Sequence, residues 1–321
     1  MNPETILVTG GSGFIGSHIA TELLEQGKRV RVFDNFSTST PANLDHIRND
    51  IELLEGDLRN EHDVRHAVSG VDLVYHQGAL ASVPRSIADP KTTFDVNVTG
   101  TLNLLVAARD AGVHRLVFAS SSSIYGDALV SPKHEQLTPA PLSPYAISKL
   151  TGEQLCTVFN DLYDIETVVL RYFNVFGPRQ DPDSPYAAVI PKFLSAMQAG
   201  KQPIIFGDGE QSRGFTYVED VVRGNLLAGS VPDAAGQVMN LASDQSYTVN
   251  TLLQSICALL DRDVEADYQP PRPGDIKDSL ADIARARTTL GWEPNISMAE
   301  GLRRTVEAFV AKYPATYGET A

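Results

Sequence analysis

The amino-acid sequence predicts an α/β protein, built on a doubly wound parallel sheet and completed by a smaller carboxyl-terminal lobe. Two observations lead to this prediction. Hydrophobic runs of strand length alternate with helical stretches through the first half of the chain, which is the pattern of parallel βαβ units. A glycine-rich turn joins the first strand to the first helix, at the end of the sheet where such folds bind their ligands.

The alternating elements follow one another as far as Arg171. The first strand is TILVTG, and the helix GFIGSHIATELLEQG after it stops at Gly27. The strands RVRVF, IELLEGD and DLVYHQGA come next, and the helix-like stretch TFDVNVTGTLNLLVAARDAG follows them. The strand RLVFASS, the helix SPYAISKLTGEQLCTVFNDLY and the strand ETVVLRYF end the series. We therefore predict a large domain over residues 1–171.

The regular alternation ends after this point. The stretch NVFGPRQDPDSPYAAVIP is rich in proline and glycine and predicts an irregular exposed segment. Shorter elements follow, up to the amphipathic helix MAEGLRRTVEAFVAKY. We predict that residues 172–321 form mainly a substrate-binding lobe, with some elements returning to the sheet.

Composition excludes several classes of protein. The net charge is −14 and the pI about 4.9, which argues against a nucleic-acid or anionic-membrane surface. No apolar run reaches the ~18 residues of a membrane span, and MNPETILVTGG lacks the pattern of a signal peptide. We expect a cytoplasmic protein. Its two cysteines, Cys156 and Cys257, fit buried small hydrophobes better than a disulfide or a metal site.

The turn TGGSGFIG has the features of a dinucleotide site. Gly10, Gly13 and Gly16 allow a pyrophosphate to approach the backbone, and the amino end of the helix attracts its charge. Asp34 ends the next strand, about 20 residues on. A carboxylate there accepts hydrogen bonds from a ribose diol and repels a 2′-phosphate. The cofactor predicted is therefore NAD rather than NADP.

Further cofactor contacts are predicted from context. Asp57 ends the third strand and would reach the adenine, with Leu58 packing beside it. Asn97 carries amide groups suited to the nicotinamide side. Each of these residue types is, taken alone, more often a capping residue than a ligand.

The stretch SPYAISK predicts a catalytic pair. Tyr145 and Lys149 are four residues apart, behind Ser143 as helix cap and Pro144 at the first helical position. Lowering the tyrosine pKa from about 10 to about 7 requires roughly 4 kcal/mol in favour of the phenolate. An ammonium and a helix amino end both act in that direction. The pattern predicts a general base, although a packed tyrosine beside a surface lysine is the commoner meaning of this spacing.

These motifs together resemble the extended short-chain dehydrogenase/reductase superfamily, and within it the NAD-dependent UDP-sugar 4-epimerases of the glucose and N-acetylhexosamine group. The resemblance extends over nearly the whole chain, through TGGSGFIGSH, GDL, HQGA, NVTGT, SSSSIYG, YAISK, RYFNVFGPRQ and RPGD. It implies a Rossmann sheet, bound NAD, a UDP-sugar substrate and a homodimer. Paired apolar helices, TGTLNLLVAARDAG and KLTGEQLCTVFNDLY, would form the dimer seam.

The resemblance also assigns the serines after RLVFA. Ser121 falls where the family has its catalytic Ser or Thr, at the sugar C4 oxygen. Ser122 and Ser123 stand where related dehydratases carry an Asp-Glu pair. Serine is a poor general acid or base near neutral pH. Redox chemistry at C4 alone is therefore implied, without dehydration or decarboxylation.

Substrate contacts are implied in the second lobe. Arg213 and Arg272 match phosphate contacts, Asp275 a ribose contact and Asn174 a contact near the phosphates. Ser279 matches a gate position that is tyrosine in members confined to glucose and galactose and small in members that also accept N-acetylated sugars. A serine there leaves room for an acetamido group.

The complete prediction assigns three sets of residues. The catalytic residues are Ser121, Tyr145 and Lys149. The cofactor-binding residues are Gly10, Gly13, Phe14, Ile15, Gly16, Asp34, Asn35, Ser37, Asp57, Leu58, Gln77, Ala79, Asn97, Tyr145, Lys149 and Phe173. The substrate-binding residues are Ser82, Ser121, Ser122, Ser123, Tyr145, Asn174, Ala188, Val189, Arg213, Arg272, Asp275 and Ser279.

Two other functions stay open on this evidence. A UDP-glucuronate 4-epimerase, or another sugar-nucleotide epimerase of the same fold, would need a further arginine near the sugar, and Arg85 is the obvious candidate. A non-catalytic dinucleotide sensor is disfavoured, because Ser121, Tyr145 and Lys149 are all present.

Overall fold

The computed structural model describes residues 4–182, 188–271 and 278–313, with backbone alone at 278 and 279. The strands are, in chain order, β1 (Thr5–Thr9), β2 (Arg29–Asp34), β3 (Glu52–Glu55), β4 (Leu73–His76), β5 (Arg115–Ser121), β6 (Glu166–Tyr172), β7 (Val175–Phe176), β8 (Ile204–Phe206), β9 (Ser212–Arg213), β10 (Thr216–Tyr217), β11 (Val238–Leu241), β12 (Tyr247–Thr248), β13 (Asp267–Gln269) and β14 (Asp278–Ser279). The helices are α1 (Phe14–Glu25), α2 (Glu61–Val68), α3 (Val83–Ala88), α4 (Pro90–Phe94), α5 (Gly100–Asp110), α6 (Pro144–Leu162), α7 (Val189–Gln198), α8 (Val218–Ser230), α9 (Val249–Leu260), α10 (Ala284–Leu290) and α11 (Met298–Lys312).

The main sheet confirms the predicted doubly wound fold. Its strands lie in the order β11-β6-β5-β4-β1-β2-β3, and every neighbouring pair is parallel. Strand order reverses between β1 and β4, so the loops after these two strands diverge at the carboxyl edge of the sheet. A crevice opens at such a reversal, and ligands of this fold class bind there.

Each face of the sheet carries its own hydrophobic layer. Ile6 and Val8 of β1 point into one core cluster, whereas Leu7 between them points into the other, as the two-residue period of a strand requires. Helices α1 and α8 pack on the first face, and α2, α5 and α6 pack on the second. Strands buried on both faces explain the continuous hydrophobic runs in the sequence.

The chain leaves the main sheet after β6 and returns to it with α8 and β11. Strand β11 pairs with β6 along Val238–Leu241, and α8 packs against β4, β5 and β6. The guanidinium of Arg115 at the start of β5 donates to the carbonyls of Ala228 and Val231, at 2.9 and 2.8 Å. The predicted domain boundary at residue 171 stays a prediction.

The remaining elements lie outside the main sheet. Helices α9 and α11 pack together, and α7 packs on α9. Three small sheets accompany them, in the strand orders β10-β7, β12-β9-β14 and β13-β8. None of the helices in the described part of the chain is long and apolar enough to span a bilayer.

One predicted helix is divided in the structure. The stretch expected to be a single helix begins as α4, passes through a wide π-type turn at Asp95–Thr99 and continues as α5. Such turns insert one extra residue and are frequent near functional sites. Here the turn directs the side chain of Asn97 inward, where it accepts from the Leu80 amide at 2.8 Å and donates to Ser148 Oγ at 3.0 Å.

Candidate active site

A cleft of about 730 Å³ opens at the carboxyl edge of the main sheet. Most of the predicted site residues line it. On the cofactor side they are Gly10, Gly13, Phe14, Ile15, Gly16, Asp34, Asn35, Ser37, Asp57, Leu58, Gln77, Ala79, Lys149 and Phe173. On the substrate side they are Ser82, Ser121, Ser122, Ser123, Tyr145, Asn174, Ala188 and Arg213.

Four of the predicted substrate-binding residues are not among these lining residues. Val189 begins α7 and does not line the cleft, although its neighbour Ala188 does. Arg272 and Asp275 lie outside the described residues. Of Ser279 only the backbone is described, and it pairs with Arg213 between β14 and β9. The predicted gate position therefore lies beside an arginine of the cleft.

The glycine turn is packed too tightly for side chains. Gly10 has φ +63°, and a Cβ there would lie 2.7 Å from the backbone of Gly78. A Cβ on Gly16 would overlap the carbonyl of Gly10. Helix α1 begins after Gly13, which has no side chain to cap it, so the first amides of a twelve-residue helix face the cleft. This cradle fits the pyrophosphate of a dinucleotide.

Asp34 closes the cradle at the end of β2. Its carboxylate accepts from the Ser12 amide at 3.0 Å, from the Phe36 amide at 2.9 Å and from Ser39 Oγ at 2.9 Å. A carboxylate has about four acceptor sites, so one remains for a ribose hydroxyl. The same three bonds hold the loop after β2 against the glycine turn.

The Asp57 carboxylate accepts more hydrogen bonds from the protein than the sequence suggested. Arg59 donates to it through its backbone amide, Nε and Nη2, at 2.9, 2.9 and 2.7 Å, and Asn35 Nδ2 donates at 2.9 Å. Hydrogen bonding by Arg59 holds the pKa of Asp57 well below its usual value. An adenine contact by this carboxylate would replace one of these donors.

Asn97 does not line the cleft, contrary to the prediction of a nicotinamide contact. Its side chain is 2% exposed and bonds Leu80 and Ser148. Leu80 itself lines the cleft. Asn97 therefore supports a wall of the cleft from behind.

Helix α6 presents the predicted catalytic pair. Ser143 Oγ accepts from the Ala146 amide at 3.2 Å and Pro144 opens the helix, as the sequence indicated. Tyr145 and Lys149 then lie one turn apart on the cleft side. Lys149 Nζ donates to the carbonyl of Ala119 at 2.7 Å.

The tyrosine is not yet activated in this arrangement. Burial raises the pKa of Tyr145, and the hydrogen bond with Ser121 opposes that rise only in part. The predicted lowering by Lys149 is absent because the ammonium is directed at the Ala119 carbonyl and lies 4.9 Å from the centre of the Phe118 ring. Burial lowers the pKa of Lys149 to about 8. In this arrangement the Lys149 ammonium therefore does not offset the effect of burial on the pKa of Tyr145.

The serines after β5 form a compact hydroxyl cluster. Ser121 Oγ accepts from the Ser123 amide at 3.2 Å and from Ser123 Oγ at 2.9 Å. The Ser121 hydroxyl also opposes the rise in the pKa of Tyr145, so it lies near the helix as well as the turn. Ser121 and Tyr145 therefore offer a substrate hydroxyl two neighbouring hydrogen-bond partners.

The substrate side shows one strained position. Asn174 has φ +36°, in a backbone region that non-glycine residues seldom adopt, and its Nδ2 donates to the Gly214 carbonyl at 3.1 Å. That bond joins the segment after β6 to the loop after Arg213. Arg213 Nη1 donates to the carbonyl of Ser212 at 2.8 Å.

Several lining residues were missed from the sequence. Ser39, Tyr125, Lys133 and Tyr172 all contribute to the cleft. Ser39 and Tyr172 adjoin predicted motifs, so sequence proximity was a usable signal. Lys133 lies in a loop distant from every motif, and its place beside Ala281 depends on a tertiary bridge.

The sequence of this chain is also similar to those of known proteins. The model of the NAD dependent epimerase/dehydratase family matches residues 6–242. A UDP-glucuronate 4-epimerase of Thermodesulfobacterium geofontis is 36% identical over 311 residues, 94% of each chain.

Two solved structures are also similar. UDP-N-acetylglucosamine 4-epimerase of Methanobrevibacter ruminantium, in complex with UDP-N-acetylmuramic acid, is 39% identical with a TM-score of 0.92, over 97% of this chain and 100% of that one. UDP-glucose 4-epimerase of Thermotoga maritima, with UDP-glucose, is 38% identical with a TM-score of 0.91, over 96% and 99%.

Proposed function

The chain belongs to the NAD dependent epimerase/dehydratase family, and from this premise we propose that it is a UDP-sugar 4-epimerase. The proposed substrates are UDP-N-acetylglucosamine and UDP-N-acetylgalactosamine, with UDP-glucose and UDP-galactose accepted as well. The cofactor is NAD, held by the glycine turn, the amino end of α1 and Asp34.

One observation carries the proposal: Ser121, Tyr145 and Lys149 line the same cleft, with the Ser121 hydroxyl near enough to Tyr145 to oppose the rise in its pKa that burial causes. A sugar hydroxyl placed between the two oxygens meets a base and a positioning group at once. Such alignment supplies much of the rate in proton transfer.

The chemistry assigned to these residues is reversible proton transfer at the C4 oxygen. Tyr145 removes the hydroxyl proton while Ser121 holds the oxygen, and Lys149 favours the phenolate. When bound, NAD supplies the hydride acceptor and donor. After the 4-keto sugar turns in the site and is reduced on its other face, Tyr145 returns the proton, so no net oxidation results.

The residues beside the tyrosine restrict the reaction to C4. Ser122 and Ser123 line the cleft where elimination of water would need an acid and a base. Neither hydroxyl titrates in the useful range. This supports epimerisation over dehydration or decarboxylation.

Acceptance of N-acetylated sugars rests on Ser279. Its backbone pairs with Arg213, a residue of the cleft that matches a phosphate contact, which supports a place on the substrate side of the cleft. A small residue there leaves volume for an acetamido group. The similar UDP-N-acetylglucosamine 4-epimerase supports the same choice.

An NMR time course without added NAD tests both parts of the proposal. With UDP-N-acetylglucosamine, we expect the N-acetylgalactosamine product to form. Ser279→Tyr should suppress that reaction and retain turnover of UDP-glucose, whereas the matched control Ser279→Ala should retain both. Turnover of UDP-glucose alone by the wild type would refute the gate. No turnover of either sugar, even with NAD added, would refute the 4-epimerase assignment for these sugars.

UDP-glucuronate is the second candidate substrate, favoured by one observation. Arg85 lines the cleft close to Ser82, which caps α3 by accepting from the Arg85 amide at 3.2 Å. A guanidinium there suits a sugar carboxylate. Arg85→Ala should reduce turnover of UDP-glucuronate far more than that of UDP-N-acetylglucosamine if the acid is a substrate.

We also propose a homodimer formed through α5 and α6. Ile147, Val158 and Leu162 of α6 are 43%, 47% and 70% exposed, and Leu102 of α5 is 39% exposed. The three α6 positions lie within about 60° on one face of the helix. Sedimentation equilibrium should give twice the chain mass for the wild type and a monomer for Ile147→Lys with Val158→Lys.

A further inference from the structure

A row of buried polar side chains runs inward from the wall of the cleft, where α6, β5, β6 and β11 meet, and two of its members, Ser120 and Tyr125, line the cleft. Its members are Ser120, Glu153, Arg171, Tyr125 and Asn240, none more than 4% exposed. Buried polar groups are retained only when they are fully paired. These five are paired with one another, and Asn240 also bonds backbone at its end of the row.

The first end lies at the catalytic residues. Glu153 Oε1 accepts from Ser120 Oγ, and Glu153 follows Lys149 by one helical turn on the same face of α6. Ser120 stands between Ala119, whose carbonyl accepts from Lys149 Nζ, and Ser121. This bond therefore fixes the end of β5 between its two catalytic contacts.

The middle of the row is rigid. Arg171 donates to both oxygens of Glu153, from Nε at 2.9 Å and Nη2 at 2.7 Å, and from Nη1 to the Tyr125 hydroxyl at 2.8 Å. That hydroxyl in turn donates to Asn240 Oδ1 at 2.7 Å. A two-point guanidinium–carboxylate contact fixes orientation as well as distance.

The far end reaches the substrate side. Asn240 Nδ2 donates to the carbonyls of Lys133 and Asp282, at 3.1 and 3.0 Å. The backbones of these two segments are joined directly, from the Lys133 amide to the Leu280 carbonyl and from the Asp282 amide to the Lys133 carbonyl, both at 2.8 Å. Leu280 directly follows Ser279.

We propose that this row is a positioning device that joins the catalytic end of β5 to the segment leading to Ser279, with the Tyr125 hydroxyl as its link. This rests on the proposed function, because it assigns the two ends to catalysis and to sugar recognition. One rigid frame then sets where the sugar ring lies and where its C4 oxygen meets Ser121 and Tyr145. The five residues are positioning residues and do not take part in proton transfer.

Tyr125→Phe tests the link by removing one hydroxyl and retaining the ring. The matched control is Thr167→Val, which removes a hydrogen bond of 2.8 Å between the same β6 and the same α6, from Thr167 Oγ1 to the Cys156 carbonyl. Thr167 is 2% exposed and lies four residues before Arg171, away from the cleft. Tyr125→Phe loses two buried hydrogen bonds and Thr167→Val loses one, so thermal stability is expected to fall in both.

Two readouts distinguish positioning from stability alone. In Tyr125→Phe, hydrogen exchange of the Lys133 and Asp282 amides should accelerate at least about tenfold, and kcat should fall about tenfold with KM changed less than about twofold. The ratio of kcat for the N-acetylated and the plain sugar should also change. Thr167→Val should change neither exchange at these amides nor kcat by more than about twofold.

The proposal is overturned if the two amides exchange at the wild-type rate in Tyr125→Phe. It is also overturned if Thr167→Val lowers kcat as much as Tyr125→Phe does. Arg171→Lys, which keeps the charge and loses the two-point contact, should give the same pattern and decides the question if Tyr125→Phe fails to fold. Hydrogen exchange is independent of turnover. A wild type that converts neither sugar would thus refute the proposed substrates while exchange still tests the link.

Discussion

Lys149→Met should make the protein more stable while it abolishes activity. Lys149 is 4% exposed, and burial lowers its pKa from 10.5 to about 8. A fall of this size corresponds to about 3 kcal/mol of unfolding free energy lost at neutral pH. Methionine fills a similar volume without a charge but loses the bond from the charged ammonium to Ala119, about 2 kcal/mol. The net gain expected at pH 7 is therefore about 1 kcal/mol.

The protonation of Lys149 in the folded and unfolded states determines how the stability difference changes with pH. Below pH 8 the lysine is protonated in both states, so the full cost of the buried charge is present. Between pH 8 and 10.5 the folded protein binds fewer protons than the unfolded chain, and wild-type stability rises with pH. The advantage of Lys149→Met should therefore shrink by about 1 kcal/mol between pH 7 and pH 9.

Urea unfolding of dinucleotide-free protein measures this difference. Trp292 is the one tryptophan in the sequence and is fully buried, so its fluorescence reports unfolding. Lys28→Met, at an exposed lysine paired with Glu4, is the control and should change stability by less than about 0.5 kcal/mol. A Lys149→Met protein less stable than the wild type at pH 7, or an advantage that is equal at pH 7 and pH 9, would refute the reasoning.

Four further predictions concern the cleft. Tyr145→Phe should lower kcat by about 10²- to 10⁴-fold and leave UDP-sugar binding by calorimetry unchanged; a loss below tenfold would remove this residue as the base. Because burial raises the Tyr145 pKa and the phenolate reacts, kcat/KM should rise from pH 6 to 8, and a flat profile would contradict that. Asp34→Asn, which disturbs the acceptor of three hydrogen bonds, should weaken NAD binding by about tenfold or more. Equilibrium dialysis measures this, and an unchanged dissociation constant would contradict the role of Asp34. Gly16→Ala, whose Cβ would overlap the Gly10 carbonyl, should lose NAD binding, and normal binding would show that the turn can relax.

The sequence predicted local features well where one residue type permits one conformation. The glycine turn, the cap by Ser143 and the opening of α6 by Pro144 depend on contacts within a few residues. The alternating strands and helices of the first half also follow from local periodicity. These features appear in the structure where the sequence placed them, except that the predicted helix before β5 is divided at Asp95–Thr99.

The features that were missed depend on partners distant in sequence. The hydrogen bond from Asn35 to Asp57 comes from a neighbouring strand end, whereas the three bonds from Arg59 are local and could have been inferred from the sequence. The inward turn of Asn97 depends on a π-type insertion that helical periodicity does not reveal. The state of Tyr145 depends on where the Lys149 ammonium points, and the Ala119 carbonyl that holds it lies 30 residues away. Apart from the bonds of Arg59, each of these is settled by tertiary structure.

The return of β11 to the main sheet has a consequence for biosynthesis. Strand β6 ends at Tyr172, and its partner β11 begins at Val238, 66 residues later (238 − 172). At the usual ~5–20 residues per second, a ribosome needs about 3–13 s to make that interval. Throughout it, β6 presents unpaired backbone groups, which are a template for pairing with other chains. The nascent protein is therefore most exposed to aggregation while its second lobe is being synthesised, and a chaperone that covers an open strand edge would act in that interval.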